Sequence, residues 1–389
     1  MLVLVLNAGS SSLKFNLYDM THEDSLAEGM AERIGLPDGI FTWTMDGVKR
    51  EDSFPMPDHG IALETIIARL QEGPLRGERI HAVGHRVVHG GPKYGDSVLV
   101  TDEVLRDIDT YAMYAPLHNP ANALGIRTAK QVFPDVPHVA VFDTAFHHDL
   151  PPHAYTYGIP YELSQKYGIR RYGFHGSSHS FVAARTAILL CRPLRALKII
   201  TCHVGNGTSI CAVRHGRSID TSMGMTPLQG VVMGTRSGSI DPSIVEFLIE
   251  QEHLDFNQIT QLLNKKSGLL GISGVSSDFR EIEIAANQGN ERAKLARDLL
   301  YNAVRKFIGS YIAVLNGVDA ITFTAGIGTN SHTLRAEICK NLSFLGVELD
   351  PVANEHGTGE RLITTSASRV AVAVVPTNEE LMIARETVR

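Results

Sequence analysis

The feature that most constrains this chain is a strand–loop–strand pattern at its start that returns near residue 200. Leu2–Leu6 is an unbroken run of Val and Leu that stops at Asn7-Ala8-Gly9-Ser10-Ser11-Ser12. A second strand follows, with Leu13, Phe15 and Leu17 on one face and Ser12, Lys14 and Asn16 on the other. Later, apolar Ile199–Thr201 leads into His203-Val204-Gly205-Asn206-Gly207-Thr208-Ser209 and then Ile210–Val213. The two segments share little identity, yet both spell strand, small polar loop, strand. That points to an internal duplication, one half starting at residue 1 and the other near residue 198. At roughly 100–200 residues per domain, the 389 residues hold two or three domains. Leu150–Pro160, with three prolines, is the expected boundary.

Other segments read as α/β. His138–Phe142 is a short buried-strand pattern ending at Asp143. Ala293, Ala296, Leu299, Leu300, Ala303, Phe307, Tyr311 and Leu315 keep helical spacing, and Gly317 should end that helix. Ala320–Phe323 then reads as a strand running into Ala325-Gly326-Ile327-Gly328. Val370–Val375 is another buried strand, followed by Pro376-Thr377-Asn378-Glu379-Glu380 and a short final helix.

Composition excludes several classes. With 43% hydrophobic and 20% charged residues the chain is too apolar for disorder. Its 36 Lys+Arg against 42 Asp+Glu give a net charge of −6, so nothing electrostatic predicts binding to nucleic acid or an anionic membrane. The four cysteines form no CxxC pair and fit a reducing cytosol. The first apolar run lacks a basic flank and is too short for a signal peptide or a membrane span, which predicts a cytoplasmic protein.

Motif absences narrow the chemistry. None of the 35 glycines precedes lysine, so there is no phosphate loop of the GxxxxGK[ST] type. Gly326-x-Gly328 lacks the third glycine of a dinucleotide fingerprint. His85 and His89 are four apart, but Arg-Val-Val between them favours a strand, which would separate them by roughly 13 Å. His175 and His179 lack the glutamate of a zinc motif. What remains is three small-residue turns after apolar strands, Gly9–Ser12, Gly205–Gly207 and Gly326–Gly328. Backbone N–H groups in such turns can approach an anion closely, so together they suggest a divided phosphate-binding site.

Charged side chains in unusual company supply the candidates. Arg86 sits in Gly84-His85-Arg86-Val87-Val88-His89-Gly90-Gly91 and Arg236 in Gly234-Thr235-Arg236-Ser237-Gly238. Each suits a planar carboxylate or phosphate partner, or else an internal salt bridge. Asp143 ends a buried strand, where open α/β sheets place ligands, though a capping carboxylate would look the same. His175 could equally be a buried, hydrogen-bonded imidazole. With Thr377 as N-cap, Glu380 would complete a capping box, leaving Glu379 as a magnesium ligand.

Taken in order, these motifs resemble the acetokinase family, the acetate kinases, over nearly the whole chain. The resemblance rests on Asn7–Phe15, Gly84–Gly91, Ala115-Pro116-Leu117-His118-Asn119-Pro120, Phe142–His147, Gly173–His179, His203–Gly207, Gly234–Gly238, Asp278-Phe279-Arg280, Gly326–Asn330 and Pro376–Glu380. It implies two duplicated ribonuclease-H-like α/β domains of the sugar-kinase, heat-shock and actin superfamily, with a cleft between them. The expected division is 1–149, joined by the C-terminal helix 381–389, and 150–380. It also implies a cytoplasmic homodimer that uses Mg²⁺, or Mn²⁺ in its place, to move a phosphoryl group reversibly from ATP to acetate, giving acetyl phosphate and ADP. By matching motif, Asp143, His175, Arg236 and His118 would be catalytic, and Asn7 and Glu379 would hold the metal. Arg86 would bind the acceptor carboxylate, with Val88, Leu117, Phe174 and Pro227 around its methyl group. ATP would meet Ser10, Ser12, Lys14, His203, Val204, Gly205, Asn206, Gly207, Asp278, Phe279, Arg280, Gly326, Ile327, Gly328, Thr329 and Asn330.

Three positions depart from the family pattern. Thr329 stands where Glu is frequent, Val204 where Leu is common, and Phe279 replaces a smaller apolar residue; all three lie in nucleotide-contact segments. A propionate kinase of the same family is the alternative. A nucleotide-switched binding protein of the actin or heat-shock kind is the rival from another class. That rival gives no reason for the arginine and histidine motifs.

Overall fold

The computed structural model describes all 389 residues, which divide into two units: Met1–His148 with Asn378–Arg389, and Asp149–Thr377. Asn378, Glu379 and Glu380, expected with the second half, cluster with the first.

The first unit holds strands β1 (Leu2–Ala8), β2 (Ser12–Asp19), β3 (Asp24–Glu32), β4 (Ile40–Met45), β5 (Val48–Ser53), β6 (Ala82–Val87), β7 (Val98–Leu99) and β8 (His138–Phe142). They form one sheet in the order β5-β4-β3-β2-β1-β6-β8-β7. The first five strands meander antiparallel, while β6 and β8 run parallel to β1. Both faces of β1 are covered, which is why it reads as continuous Val and Leu. Leu2, Leu4 and Leu6 pack with Leu63, Ile66 and Leu70 of the helix His59–Glu72. Val3 and Val5 pack with Ile383 and Ala384 of the terminal helix Glu379–Val388.

The second unit holds β9 (Lys198–Val204), β10 (Thr208–Arg214), β11 (Arg217–Thr221), β12 (Ala320–Thr324), β13 (Arg361–Leu362) and β14 (Ala371–Val374), in the order β11-β10-β9-β12-β14-β13. The helix Glu291–Leu315 buries Ala293, Ala296, Leu300, Val304, Ile308, Tyr311 and Leu315, close to the spacing legible in the sequence. It ends as Asn316 turns left-handed at φ 52°, one residue before the expected glycine.

The two sheets repeat each other relation by relation. In each, a central strand pairs antiparallel with the next strand in sequence, which pairs antiparallel with the one after it. Its other edge carries two parallel strands, and a two-residue antiparallel strand closes the row. The fold is therefore α/β with two duplicated ribonuclease-H-like domains. No helix is long and apolar enough to cross a membrane.

One turn was misread. Ala325–Asn330 is a short helix entered directly from β12, with Ala325 taking the reversal at φ 63°. Six residues are too few to show a helical period.

Candidate active site

In the first unit the chemistry gathers at the carboxyl ends of two parallel neighbours. Arg86 lies opposite Val141 near the end of β6, and Asp143 follows β8 directly, its N–H donating to the Val87 carbonyl at 2.9 Å. Arg86 donates from Nε to Asp143 Oδ1 at 2.9 Å and from Nη2 to Oδ2 at 2.7 Å. This is the internal salt bridge that the sequence left open, in fork geometry, with Asp143 almost wholly buried. Glu379 Oε2 stands 4.0 Å from Arg86 Nη2. Burial alone would depress the Arg86 guanidinium, but Asp143 beside it, with Glu379 and Glu380, raises it above its ordinary value. Burial also raises the Glu379 carboxyl; Arg86 opposes the shift, while Asp143 and Glu380 add to it.

The glutamate pair resolves differently from the expected capping box. Asn378, not Thr377, caps the terminal helix, its Oδ1 accepting the Leu381 N–H at 2.9 Å and the Tyr18 hydroxyl at 3.1 Å. Glu380 instead forms an ion pair with Lys14 on β2. Lys14 is the cross-strand partner of Asn7, so Asn7, Lys14, Glu379 and Glu380 all belong to the first unit. Ser10 and Ser12 lie at the tight turn between β1 and β2, where the Gly9 N–H donates to the Ser12 carbonyl at 2.8 Å.

Strand β6 stops at Val87, so strand alternation does not orient Val88; its N–H donates to Asn122 Oδ1 at 3.0 Å. Leu117 is exposed and His118 occupies the N-cap position of the helix Asn119–Val132. His85 and His89 both have partners: His85 Nε2 lies 2.9 Å from His138 Nδ1, and His89 Nδ1 accepts the Gly91 N–H.

In the second unit two groups of residues form. His175, left-handed at φ 57°, precedes the helix Gly176–Leu189 and stacks on His203 with ring centroids 4.0 Å apart. A Cβ placed on Gly207 would lie 3.4 Å from Arg236 Nη2 and from His175 Cε1 and Nε2, so the bare face of this glycine looks onto both. Arg236 is steadied by Nη1 donating to the Pro227 carbonyl at 2.8 Å. Its loop clamps onto the β9–β10 turn, where a side chain on Gly234 would sit 1.8 Å from Asn206 Oδ1. Phe174 is buried beside His175 in the chain.

The second group lines a cavity of about 640 Å³: Gly205, Asn206, Ser277, Asp278, Phe279, Arg280, Glu283, Gly326, Ile327, Asn330 and Ser331. That volume suits a drug- or nucleotide-sized ligand. Asp278 caps the helix Phe279–Asn287 and pairs with exposed Arg280 at 2.6 Å. Of the expected nucleotide contacts in this unit, His203, Val204, Gly207, Gly328 and Thr329 are outside this wall, and Ser10, Ser12 and Lys14 belong to the first unit. Val204 is fully buried in the core, and the Thr329 carbonyl accepts Arg335 Nη1 at 2.7 Å. Ser277, Glu283 and Ser331 were not foreseen, since a lone serine or a helical glutamate carries no pattern in a single sequence.

Comparison with known proteins meets this arrangement from outside. The profile of the Acetokinase family matches residues 2–385. An acetate kinase of Geobacillus kaustophilus is 52% identical over 389 residues, covering 100% of this chain and 98% of that protein. The crystal structure of Porphyromonas gingivalis acetate kinase superposes with a TM-score of 0.94 at 46% identity, covering 100% and 98% of the two chains. A propionate kinase from Francisella tularensis gives 0.94 at 44%, covering 99% and 98%. With agreement at this identity running from end to end, the chain belongs to the acetokinase family and is a phosphotransferase.

Proposed function

We propose that the protein is an acetate kinase that uses Mg²⁺, or Mn²⁺ in its place, to transfer the γ-phosphoryl group of ATP to acetate, reversibly and in line. The observation that carries this reading is the Arg86–Asp143–Glu379 cluster, in which a half-buried guanidinium is locked by one buried carboxylate and faced by a second. Asp143 fixes the guanidinium plane through Nε and Nη2, which leaves Nη1 to meet the acceptor carboxylate. Acetate is already ionised at neutral pH, so no proton need be removed from it, and Asp143 serves as orienter and not as general base. Arg236 and His175 act on the equatorial oxygens of the transferring group, where an arginine can be worth ~10³–10⁵ in rate, with His118 close by. Ser10, Ser12 and Lys14 attend the phosphates, and the Gly205–Arg280–Asn330 cavity takes the nucleoside.

The donor set fits a hard divalent cation, since the half-buried Glu379 carboxylate is disfavoured as an isolated charge and a cation relieves that cost. Glu379 and Asn7 would hold Mg²⁺, which when bound offsets phosphate charge. Family membership supports a homodimer, and side chains such as Phe247 on the helix Ser243–Glu252 leave apolar surface for one. Cytoplasmic residence belongs to the same proposal and rests on the cysteine usage.

Hydroxylamine trapping tests the reading: ATP, Mg²⁺ and acetate should yield acyl hydroxamate. No acetate-dependent signal would favour a nucleotide-switched binding protein instead. The Francisella propionate kinase motivates a second reading, a propionate kinase. One methylene is worth ~1–3 kcal/mol in such a pocket, so acetate should exceed propionate in kcat/KM by ~10–200-fold. Propionate equal or better would establish the second reading.

A further inference from the structure

Behind His175, the second unit holds an unbroken line of hydrogen bonds. His175 Nδ1 lies 2.8 Å from Ser209 Oγ, Ser209 Oγ lies 2.7 Å from His179 Nε2, and His179 Nδ1 lies 2.7 Å from Thr201 Oγ1. Ser209, His179 and Thr201 have no exposed surface. Buried polar groups of this kind are costly unless every proton has an acceptor.

Proton counting allows two arrangements. Ser209 has one hydroxyl hydrogen and touches two imidazole nitrogens, so it donates to one and accepts from the other. In the first arrangement Thr201 donates to His179 Nδ1, His179 Nε2–H donates to Ser209, and Ser209 donates to His175 Nδ1. A neutral His175 then carries its hydrogen on Nε2, the nitrogen that looks toward Gly207 and Arg236. In the second every bond reverses, and Nε2 of the neutral ring is bare. Acceptor strength selects the first. It places the Thr201 hydrogen on an imidazole nitrogen, whereas reversal leaves that hydrogen to the sulfur of Cys211, the cross-strand neighbour and a weak acceptor.

The groups facing His175 are the His203 ring from β9, tied at Nδ1 to Ser178 Oγ at 2.8 Å, the Arg236 guanidinium from its loop, and His179 through Ser209. With a cation already beside Nε2, a neutral ring bearing its hydrogen there supplies a donor without adding a second charge. We infer that Thr201, His179 and Ser209 are positioning residues that fix His175 as the Nε2–H tautomer. A donor then stays aimed at the transferring phosphoryl group at pH values where a free imidazole has lost its second proton. The inference rests on the proposed catalytic role of His175.

Thr201→Val removes the hydroxyl that sets the polarity at nearly constant volume, and Thr201→Ser keeps it. Above about pH 8, Thr201→Val should lower kcat roughly threefold or more; toward about pH 5.5 the gap should close, because a doubly protonated ring offers Nε2–H unaided. KM for both substrates should stay within about twofold, and Thr201→Ser should restore the wild-type profile. Nitrogen-15 spectra of histidine-labelled wild-type protein, assigned by the signal lost in His175→Ala, read the tautomer directly and require no fold from the valine variant. A Thr201→Val to wild-type ratio that is constant with pH, or a wild-type His175 protonated on Nδ1, overturns the inference. If His175→Ala keeps wild-type kcat, the catalytic role itself fails and takes the inference with it. If that variant is impaired while the valine ratio stays flat, only the chain fails.

Discussion

Arg86 and Arg236 differ in what already occupies them, and that difference separates their expected phenotypes. Arg86 is spent on one edge by Asp143, so its loss frees a buried carboxylate as well as removing the acceptor's partner. Arg86→Ala should raise the acetate KM and lower kcat together. Arg236→Ala, which gives up the backbone contact at Pro227, should lower kcat ~10³-fold or more with little change in acetate KM; steady-state kinetics with varied acetate decide it. Glu379 makes a pH prediction. Its carboxyl is raised in the fold, so the charged form costs stability. That cost is absent below the ordinary carboxylate range and grows as pH rises through the shifted value. Metal-free Glu379→Gln should therefore melt higher than wild type at neutral pH and no higher at about pH 4; a gain that persists at low pH would mean another cause. These side chains were legible as a set in the sequence, but their pairings were not. Arg86 could meet a ligand or an internal carboxylate, and the parallel register of β6 and β8 brings Asp143 to one edge of it. Glu380 was given to a helix cap because Thr377 and Asn378 are both good N-caps; geometry selects Asn378, and Lys14 takes Glu380.

Among the elements, the β12-to-helix elbow depends on a residue no motif flagged. Arg335 is buried, yet its hydrogen-bond partners are neutral oxygens: the carbonyls of Gly328 and Thr329 at 2.9 and 2.7 Å, and Asn354 through Oδ1 at 2.7 Å and its carbonyl at 2.6 Å. Burial pulls its guanidinium down to about 10. It ties down the end of the helix Ala325–Asn330, whose Gly326, Ile327 and Asn330 line the cavity. Arg335→Met should cost about 2–4 kcal/mol from the oxygens left unpaired and raise the KM for ATP more than that for acetate. An unchanged ATP KM with full loss of stability would limit Arg335 to a structural role. Long elements such as Glu291–Leu315 were readable from their period, as were the buried runs β1 and β8. The elbow was not, because the left-handed backbone at Ala325 carries no glycine to announce it.

Across the whole molecule, duplication was visible only as a faint echo between residues 1 and 198, since pairing relations survive where identity does not. The chain leaves the first unit at His148, builds the second, and returns at Asn378 to lay Ile383 and Ala384 against β1, β6 and β8. Removing 378–389 withdraws Glu379 and two core side chains at once, and a fully buried Ile alone is worth about 1.5–3 kcal/mol. Limited proteolysis of such a truncation should cut the first unit while sparing the second; equal resistance in both would show that the terminal helix is dispensable. This threading reverses the ordinary order of biosynthesis. Domains usually mature from the amino end as the ribosome advances, but here the amino-terminal unit is completed only by residues 378–389, made after the whole second unit. A polypeptide stalled or clipped short of Asn378 lacks Glu379 and the Ile383–Ala384 side of the first core, so the helix Glu379–Val388 ties completion of the amino-terminal unit to synthesis of the whole second unit.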